Sequence, residues 1–284
     1  MSIDTLAQVA DLERRARRIE TPCGDAAMVW HTWGEADAAP VVLLHGGSGS
    51  WTHWVRNIDA LVAAGRRVWI PDLPGFGDSA PPPAGGDADA VALPVAQGLQ
   101  TLLGDAVVDV VGFSFGGMVA TFVAVAQPAR VRRLVLVGAP ALGIAVPRPI
   151  LMRGWTHLTH GAARDAAIRA NLAALMFADP GAIDAFAIAL QEHNVDRDRL
   201  RRRRLSRTDA ILRHLPQVQA QVHGIWGERD ALYVGHIDRI EPVLRLAPGF
   251  ASLQVIESAG HWVAFEAAPR FDAALEAALS VEWP

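Results

Sequence analysis

The sequence predicts one large α/β domain built on an open, doubly wound, mostly parallel sheet. Short runs of Val, Ile, Leu and Trp alternate with glycine-rich loops and helical patterns, the order that places helices on both faces of a sheet. Runs such as VVLL, VVDVV and LVLV are apolar on both faces, as expected of strands that helices cover on each side. The 284 residues, of which 51% are hydrophobic, suffice for a large buried core.

Strand and helix patterns alternate along the chain outside one central segment. Apolar runs predict strands at residues 41–44, 67–70, 107–111, 134–137, 222–226 and 253–256. Helical patterns fall near residues 54–64, 90–103, 116–127, 235–246 and 264–280. We also expect residues 18–21 and 26–32 to form an antiparallel hairpin at the edge of the sheet. Because parallel strands end at a common edge, loops that follow them are brought together there.

The alternation stops between residues 140 and 216. Helical patterns in this segment lie around residues 148–160, 162–176, 180–193 and 197–214, separated by Pro147, Pro149, Pro180 and Pro216. We therefore predict a core domain of residues 1–139 and 217–284, with an inserted all-helical cap of residues 140–216. A cap over the strand ends would exclude water and shape a substrate pocket. A subdomain or a dimer contact is the alternative interpretation of these helices.

Composition and charge argue against several other classes of protein. The net charge of −4 gives no general reason to bind nucleic acid or anionic lipid. No apolar run reaches the roughly 18 residues that span a membrane, and the first segment of the chain has no apolar region typical of a secretory signal. Cys23 is the single cysteine, which fits a reducing compartment. We expect a cytoplasmic protein that acts on a small molecule without a metal or a cofactor, and a homodimer is one open alternative for its assembly.

Residues 112–116 read Gly-Phe-Ser-Phe-Gly and match the motif G-x-S-x-G between a predicted strand and a predicted helix. The glycines permit a tight turn from strand to helix. Such a turn presents the hydroxyl of Ser114 at the sheet edge as a nucleophile. It also places the amide of Phe115 at a helix N-terminus, where it can stabilise a developing oxyanion.

A nucleophilic serine needs a base and a carboxylate that orients the base. His261 follows the last predicted strand in Ser-Ala-Gly-His-Trp, and Asp230 follows the preceding strand in Gly-Glu-Arg-Asp. Both residues therefore lie at carboxyl ends of strands, at the edge that carries Ser114. The chain order serine, acid, histidine is one of the orders in which such triads occur.

The loop after the first predicted parallel strand reads His-Gly-Gly-Ser-Gly-Ser at residues 45–50. Its glycines permit close approach of the backbone to a substrate carbonyl. Phosphate binding is the alternative for a glycine-rich loop, but the chain lacks both G-x-G-x-x-G opening a helix and G-K-[ST]. We expect His45 to be a structural hydrogen-bonding residue beneath this loop, and Asp72 in the next loop to cap local amides.

Together these motifs resemble the α/β-hydrolase fold family over nearly the whole chain. The matching segments are HGG, DLPGFGDS, GFSFGG, GERD and GHW. The resemblance implies a catalytic triad of Ser114, His261 and Asp230, an oxyanion hole formed by the amides of Gly47 and Phe115, and a helical cap. A serine at the nucleophile position disfavours the haloalkane dehalogenase and epoxide hydrolase branches.

Within the family, GHW and HGG resemble the carbon–carbon bond hydrolases of aromatic degradation, the meta-cleavage product hydrolases. Those proteins usually carry a polar residue before the motif serine, where this chain has Phe113. We therefore predict a serine hydrolase that cleaves a small or medium carboxylic ester through an acyl-enzyme. Carbon–carbon bond hydrolysis and a non-catalytic ligand-binding protein of the same fold are the alternatives.

Substrate contacts are predicted from residues beside the catalytic loops and from the cap. Ser48, Phe113 and Trp262 flank these loops and Trp155 belongs to the apolar residues of the cap, so we expect them to line the pocket. The arginine run 201–204 covers every face of a helix, so that one guanidinium would point inward and hold a substrate carboxylate. A solvated helix face is the alternative for this run.

Overall fold

A computed structural model describes residues 6–145, 150–200 and 203–281. Its sheet contains eight strands. They are β1 (Arg17–Cys23), β2 (Ala26–Trp33), β3 (Ala39–Leu44), β4 (Arg66–Pro71), β5 (Val108–Phe113), β6 (Val131–Val137), β7 (Gln221–Gly227) and β8 (Phe250–Ile256).

The strand order is β1-β2-β4-β3-β5-β6-β7-β8. β1 pairs antiparallel with β2 and β2 antiparallel with β4, whereas all later pairs are parallel. Every residue of the central strand β5 is buried, because helices cover both faces of the sheet. The predicted doubly wound sheet and its antiparallel edge hairpin are therefore confirmed.

Ten α-helices lie within the described residues. They are α1 (Ala7–Arg15), α2 (Ile58–Ala63), α3 (Ala88–Leu103), α4 (Phe115–Ala126), α5 (Ala162–Leu175), α6 (Ala185–Asp196), α7 (Ala210–His214), α8 (Ile240–Leu244), α9 (Val263–Glu266) and α10 (Ala268–Ser280). The sequence pattern did not predict α1, because this helix buries only Leu12 and its other residues are mostly polar or charged. None of these helices is long and apolar enough to cross a membrane.

The core consists of two hydrophobic clusters, one on each face of the sheet. On one face, Val110 of β5 packs in a cluster with Met118 of α4. On the other face, Val111 of β5 packs in a cluster with Phe271 of α10. Adjacent strand residues point to opposite faces, and this is why the apolar runs of the parallel strands are continuous rather than alternating.

The segment between β6 and β7 is the part of the chain where the strand pattern stops. Its described residues form α5, α6, α7 and short 3-10 helices but no strand. This content fits the predicted inserted segment of residues 140–216. The cap role of the segment stays a prediction at this point.

The helix predicted at residues 148–160 is wrong for the part that the structure describes. Residues 150–160 contain no helix, and at Arg153 a side chain takes up both backbone hydrogen bonds. Asn171 of α5 accepts a hydrogen bond from the Arg153 amide at 2.7 Å and donates one to the Arg153 carbonyl at 2.9 Å. An extended backbone is thereby satisfied without a helical turn.

The long helix predicted at residues 197–214 is also wrong. Residues 201–202 lie outside the described residues, and the remainder forms only the 3-10 helices Leu205–Arg207 and Leu215–Gln217 around the short α7. The amide of Arg199 donates to the carbonyl of Gly75 at 2.9 Å, and the amide of Leu200 donates to the Asp198 carboxylate at 2.9 Å. Contacts with a loop of the core thus replace the intrahelical bonds that the pattern predicted.

Candidate active site

Ser114 lies in the sharp turn between β5 and α4. Its φ of 50° is in the left-handed region, which is uncommon for a residue with a side chain. The turn requires glycine at position 116, because a Cβ atom there would lie 2.3 Å from the Leu44 carbonyl oxygen. The elbow therefore forms only because small residues let β3 and the start of α4 approach closely.

A chain of hydrogen bonds joins Ser114 to His261 and Asp230. His261 Nε2 is 2.9 Å from Ser114 Oγ, and its Nδ1 is 3.0 and 2.9 Å from the two carboxylate oxygens of Asp230. Asp230 is fully buried and also accepts the amide hydrogen of Leu232 at 2.9 Å. The structure thus brings together the three residues that the sequence places at the ends of separate strands. In this geometry the imidazole can take the hydroxyl proton while the carboxylate holds its orientation.

Gly138, immediately after β6, belongs to this site, although no motif in the sequence marks it. Its φ is 52°, and a Cβ atom there would lie 3.1 Å from Asp230 Oδ2 and 3.2 Å from His261 Nδ1. A side chain at this position would press on the hydrogen-bonded pair. The signal in the sequence is only a glycine at the end of a strand, which many structural turns share.

Gly47 and Phe115 lie on opposite sides of the space in front of Ser114. A Cβ atom on Gly47 would lie 3.6 Å from the Cβ of Phe115, so the glycine-rich loop approaches the start of α4 closely. Among the residues that the structure describes, none accepts a hydrogen bond from the amide of Gly47 or of Phe115. Two such amides beside a nucleophile are the arrangement that receives an oxyanion.

A cavity of about 1020 Å³ opens in front of this hydrogen-bonded chain. The core contributes Gly47, Ser114 and His261 to its wall, and the inserted segment contributes Leu175 and Met176. Apolar side chains and polar groups both line this cavity, as is typical of sites for small organic substrates. The volume suits a substrate larger than a few carbon atoms.

Of the four predicted substrate contacts, Ser48 and Phe113 line the cavity. Trp262 does not line it, because its indole is fully buried and stacks on Phe265 with ring centroids 4.2 Å apart. Trp155 does not line it either, because its buried ring packs under the guanidinium of Arg164. Proximity in sequence to a catalytic residue therefore did not predict which way these indoles face.

Of the two arginines of the run that the structure describes, Arg203 lines the cavity. Its guanidinium carbon lies 3.5 Å from the point where a Cβ of Gly47 would be. Its Nη1 donates to the Asp198 carboxylate at 2.9 Å, and its Nη2 donates to Ser48 Oγ at 3.1 Å. The neighbouring Arg204 is exposed. Residues 201 and 202 of the predicted run lie outside the described part of the chain.

The segment before Arg203 attaches the inserted segment to loops of the core. Asn194 of α6 is buried and accepts a hydrogen bond from Ser50 Oγ at 2.7 Å. Arg197 forms an ion pair with Asp78, and Arg199 donates to the carbonyl of Gly77 at 3.1 Å. The wholly solvated helix expected as an alternative for this charged region is not what these residues form. No motif in the sequence pointed to these contacts, because their partners are more than a hundred residues away.

The free energy of unfolding is expected to fall in acid because several histidines are buried. Burial lowers the pKa of His31, His45 and His223 to about 4. In the unfolded chain a histidine titrates near 6.5, so between pH 6.5 and 4 the unfolded state binds more protons than the folded state. Each histidine then contributes stability that is complete above pH 6.5 and is lost as the pH falls to about 4, by up to about 3 kcal/mol.

Two carboxyls act with the opposite sign. Burial raises the pKa of Asp72 and of Asp272 from 3.8 to about 6, so their contributions are lost as the pH rises from 3.8 to 6. The histidines outnumber them, and we expect the urea midpoint of unfolding to fall between pH 7 and pH 4.5. His223→Gln should flatten this fall, since glutamine does not titrate. An equally steep fall in that variant would contradict the assignment to His223.

Comparisons with known proteins agree with this architecture. A family model described as alpha/beta hydrolase fold matches residues 39–167. A 2-hydroxy-6-oxononadienedioate/2-hydroxy-6-oxononatrienedioate hydrolase of Cupriavidus pinatubonensis is 32% identical over 248 residues, which cover 84% of this chain and 85% of that protein.

Two solved structures show the same fold at lower identity. Carboxylesterase CesB of Bacillus subtilis has a TM-score of 0.76 and 18% identity, over 98% of this chain and 99% of that one. A mutant of the meta-cleavage product hydrolase CumD has a TM-score of 0.71 and 21% identity, over 93% of this chain and 98% of that one. The elbow, the sheet order and these similarities agree that the chain is a hydrolase and belongs to the α/β-hydrolase fold family.

Proposed function

We propose that this hydrolase uses Ser114 to cleave a carbon–carbon bond next to a ketone, in a substrate that also carries a carboxylate. The observation that carries the proposal is that Ser114 and the Arg203 guanidinium line one cavity. The relative from Cupriavidus pinatubonensis, which is 32% identical, is named for 2-hydroxy-6-oxo dienedioate substrates. A vinylogous diketone acid of that class has both groups that this cavity can address.

The residues divide the chemistry as follows. His261 takes the proton of Ser114, whose oxygen attacks the ketone carbon, and Asp230 stabilises the imidazolium that forms. The amides of Gly47 and Phe115 hold the oxyanion of the tetrahedral intermediate. When this intermediate collapses, the carbon–carbon bond breaks, its electron pair delocalises along the conjugated chain, and the departing fragment takes up a proton. Water activated by His261 then hydrolyses the acyl group on Ser114 and frees the acid.

The position of Arg203 supports an anionic substrate. Its Nη2 is held by a neutral hydroxyl, that of Ser48, and a substrate carboxylate would be a stronger acceptor. Asp198 pairs with Nη1 and so keeps the guanidinium in place while Nη2 remains available for exchange. The apolar residues Leu175 and Met176 line the same cavity and would contact the carbon chain of the substrate.

Ester hydrolysis is the second candidate, because the same residues would attack an ester carbonyl. Phe113 favours it: the side chain before Ser114 is a ring that packs 5.1 Å from the His261 ring, where it offers no hydrogen bond to a substrate. A substrate with a good leaving group needs no such bond. Steady-state kinetics with a 2-hydroxy-6-oxo dienoate and with 4-nitrophenyl esters of increasing acyl length separate the two. Turnover of the esters alone would contradict carbon–carbon cleavage.

Arg203→Met is expected to raise KM for the anionic dienoate by about 10- to 100-fold, since a hydrogen bond to a charged group contributes about 1.5–3 kcal/mol. KM for a neutral 4-nitrophenyl ester should change little, because the ester has no carboxylate to bind. Arg204→Met is the matched control, since that side chain is exposed and next in the sequence. Equal changes for both substrates in Arg203→Met would show that Arg203 does not bind the carboxylate.

A further inference from the structure

The two peptide groups that meet at Gly46 are each held by a buried histidine. The amide of Gly46 donates to His53 Nδ1 at 3.2 Å. The amide of Leu73 donates to His45 Nε2 at 2.9 Å, so His45 carries its proton on Nδ1, which lies 2.8 Å from the Gly46 carbonyl oxygen. That carbonyl and the amide of Gly47 belong to the same planar peptide group. The Gly46 amide belongs to the preceding peptide group, so His53 and His45 together fix the backbone on both sides of the Gly46 Cα and with it the direction of the Gly47 N–H.

We propose that His53 is a positioning residue for the oxyanion hole: its Nδ1 holds the Gly46 amide and thereby aims the Gly47 amide at the oxyanion. The inference rests on the proposed function in one respect, that Ser114 attacks a carbonyl whose oxygen the Gly47 amide receives. It applies equally to carbon–carbon and to ester cleavage. His45 holds the carbonyl of the peptide group that carries the Gly47 amide, and His53 holds the amide of the peptide group before it.

The His53 ring is fixed on several sides. It is 1% exposed, and its centroid lies 4.9 Å from the Trp262 indole and 5.6 Å from the Phe113 ring. The Trp262 indole N–H donates to the His53 carbonyl at 3.0 Å. A Cβ on Gly49 would lie 2.2 Å from the ring carbon Cε1, so the loop carries glycine where it crosses the ring. Trp262 does not line the cavity. Its indole and the Phe113 ring instead form an aromatic slot around the His53 ring.

The cost of this arrangement indicates that the ring nitrogen is needed. Because Nδ1 accepts a hydrogen bond, the ring proton is on Nε2, and no described residue accepts a hydrogen bond from that buried atom. Leaving such a group unpaired costs about 1–3 kcal/mol, which an apolar side chain of the same shape would avoid. The hydrogen bond that Nδ1 accepts from the Gly46 amide explains why a histidine, rather than an apolar residue, lies among these aromatic rings.

The ring also keeps the protonation state that this role requires. Burial, followed by the nearby His45 and His261, lowers the pKa of His53 well below its usual value. Protonation would place a hydrogen on Nδ1 and displace the Gly46 amide. The neutral ring therefore remains a hydrogen-bond acceptor for the Gly46 amide at neutral pH.

Loss of the acceptor is expected to impair the transition state more than substrate binding. The Gly47 amide faces a full negative charge only when the tetrahedral intermediate forms. Removing one such donor lowers kcat by about 10²–10³-fold. We expect His53→Leu to lower kcat by about 10²-fold with KM changed less than about twofold. Asparagine is nearly the same size as leucine, and its Oδ1 can accept the Gly46 amide hydrogen in place of Nδ1. His53→Asn should therefore recover most of the kcat that His53→Leu loses.

The test measures kcat, KM and the inhibition constant of an aryl trifluoromethyl ketone, which places an oxyanion in the hole when Ser114 adds to it. The control is His223→Leu. His223 lies on β7 and is also buried, and its Nδ1 makes a hydrogen bond with the hydroxyl of Ser252. We expect His53→Leu to raise the inhibition constant of the ketone by the same factor by which it lowers kcat. His223→Leu should change neither the inhibition constant nor kcat. If His53→Leu does not fold, His53→Phe keeps a ring in the slot without the acceptor and takes its place.

Three results would overturn the inference. His53→Leu could match His223→Leu in kcat and in affinity for the ketone. His53→Leu could raise KM alone, which would indicate a structural role. His53→Asn could be as impaired as His53→Leu, which would show that the acceptor is not what matters. A wild-type protein inactive on every dienoate and ester would instead overturn the proposed function, and this inference with it.

Discussion

Ser114→Ala is expected to abolish turnover while the protein remains folded. The hydroxyl is the atom that would attack the substrate, and loss of a triad serine lowers kcat by about 10⁶-fold in well-studied cases. The substitution removes one oxygen at a half-buried position and leaves the packing around β5 and α4 intact. Circular dichroism and the melting temperature should therefore match those of the wild type, whereas hydrolysis and labelling by a fluorophosphonate should both disappear.

The matched control is Ser206→Ala. Ser206 lines the same cavity as Ser114, but it makes no hydrogen bond to His261 within the described residues. Labelling and turnover should be retained in this variant. Persistent fluorophosphonate labelling of Ser114→Ala would mean that another residue is the nucleophile, and the proposed function would fail.

Asp230→Asn is expected to lower kcat by about 10⁴-fold. The amide of Leu232 fixes one carboxylate oxygen, Oδ1, so the NH₂ group of asparagine would take the place of Oδ2 and face His261 Nδ1. This would force the ring proton onto Nε2, the nitrogen that must accept the proton of Ser114. The base would then be blocked although every side chain remains in place.

Glu228→Gln is the control for Asp230→Asn. Glu228 lies two residues earlier in the same loop and accepts the Ser258 amide hydrogen at 2.9 Å, at the exposed surface. Steady-state kinetics and the rate of fluorophosphonate labelling should be near wild type for Glu228→Gln and strongly reduced for Asp230→Asn. If both variants retained wild-type rates, Asp230 would have no part in orienting His261.

The fold and the hydrogen bonds that join Ser114, His261 and Asp230 were predictable because both depend on local sequence. A strand buried on both faces must be apolar throughout, as in β5, and the turn after it must contain glycine where backbone segments touch, as at Gly116. Since parallel strands end at one edge, the ends of β5, β7 and β8 had to place Ser114, Asp230 and His261 near each other. The structure has His261 Nε2 2.9 Å from Ser114 Oγ.

The inserted segment and the cavity wall were less predictable, because they depend on contacts between distant residues. Helical periodicity at residues 148–160 is overridden by the Asn171 side chain, which satisfies an extended backbone at Arg153. Trp262 follows His261 but turns away from the cavity and stacks on Phe265. The preference for an ester rested mainly on Phe113, whereas a relative that is similar over most of the chain is named for the 2-hydroxy-6-oxo dienedioate substrates on which carbon–carbon cleavage is proposed.

The sequence by itself determined the doubly wound α/β fold class, the sharp turn at Ser114 and the loops that carry Asp230 and His261. These features are written in apolar runs and glycines whose effects extend over a few residues. Only the tertiary structure decided that Arg203 faces the cavity, that Gly138 lies against the His261–Asp230 pair, and that His53 holds the Gly46 amide. Side-chain direction and hydrogen-bond pairing depend on which distant elements pack together, and no local pattern contains that information.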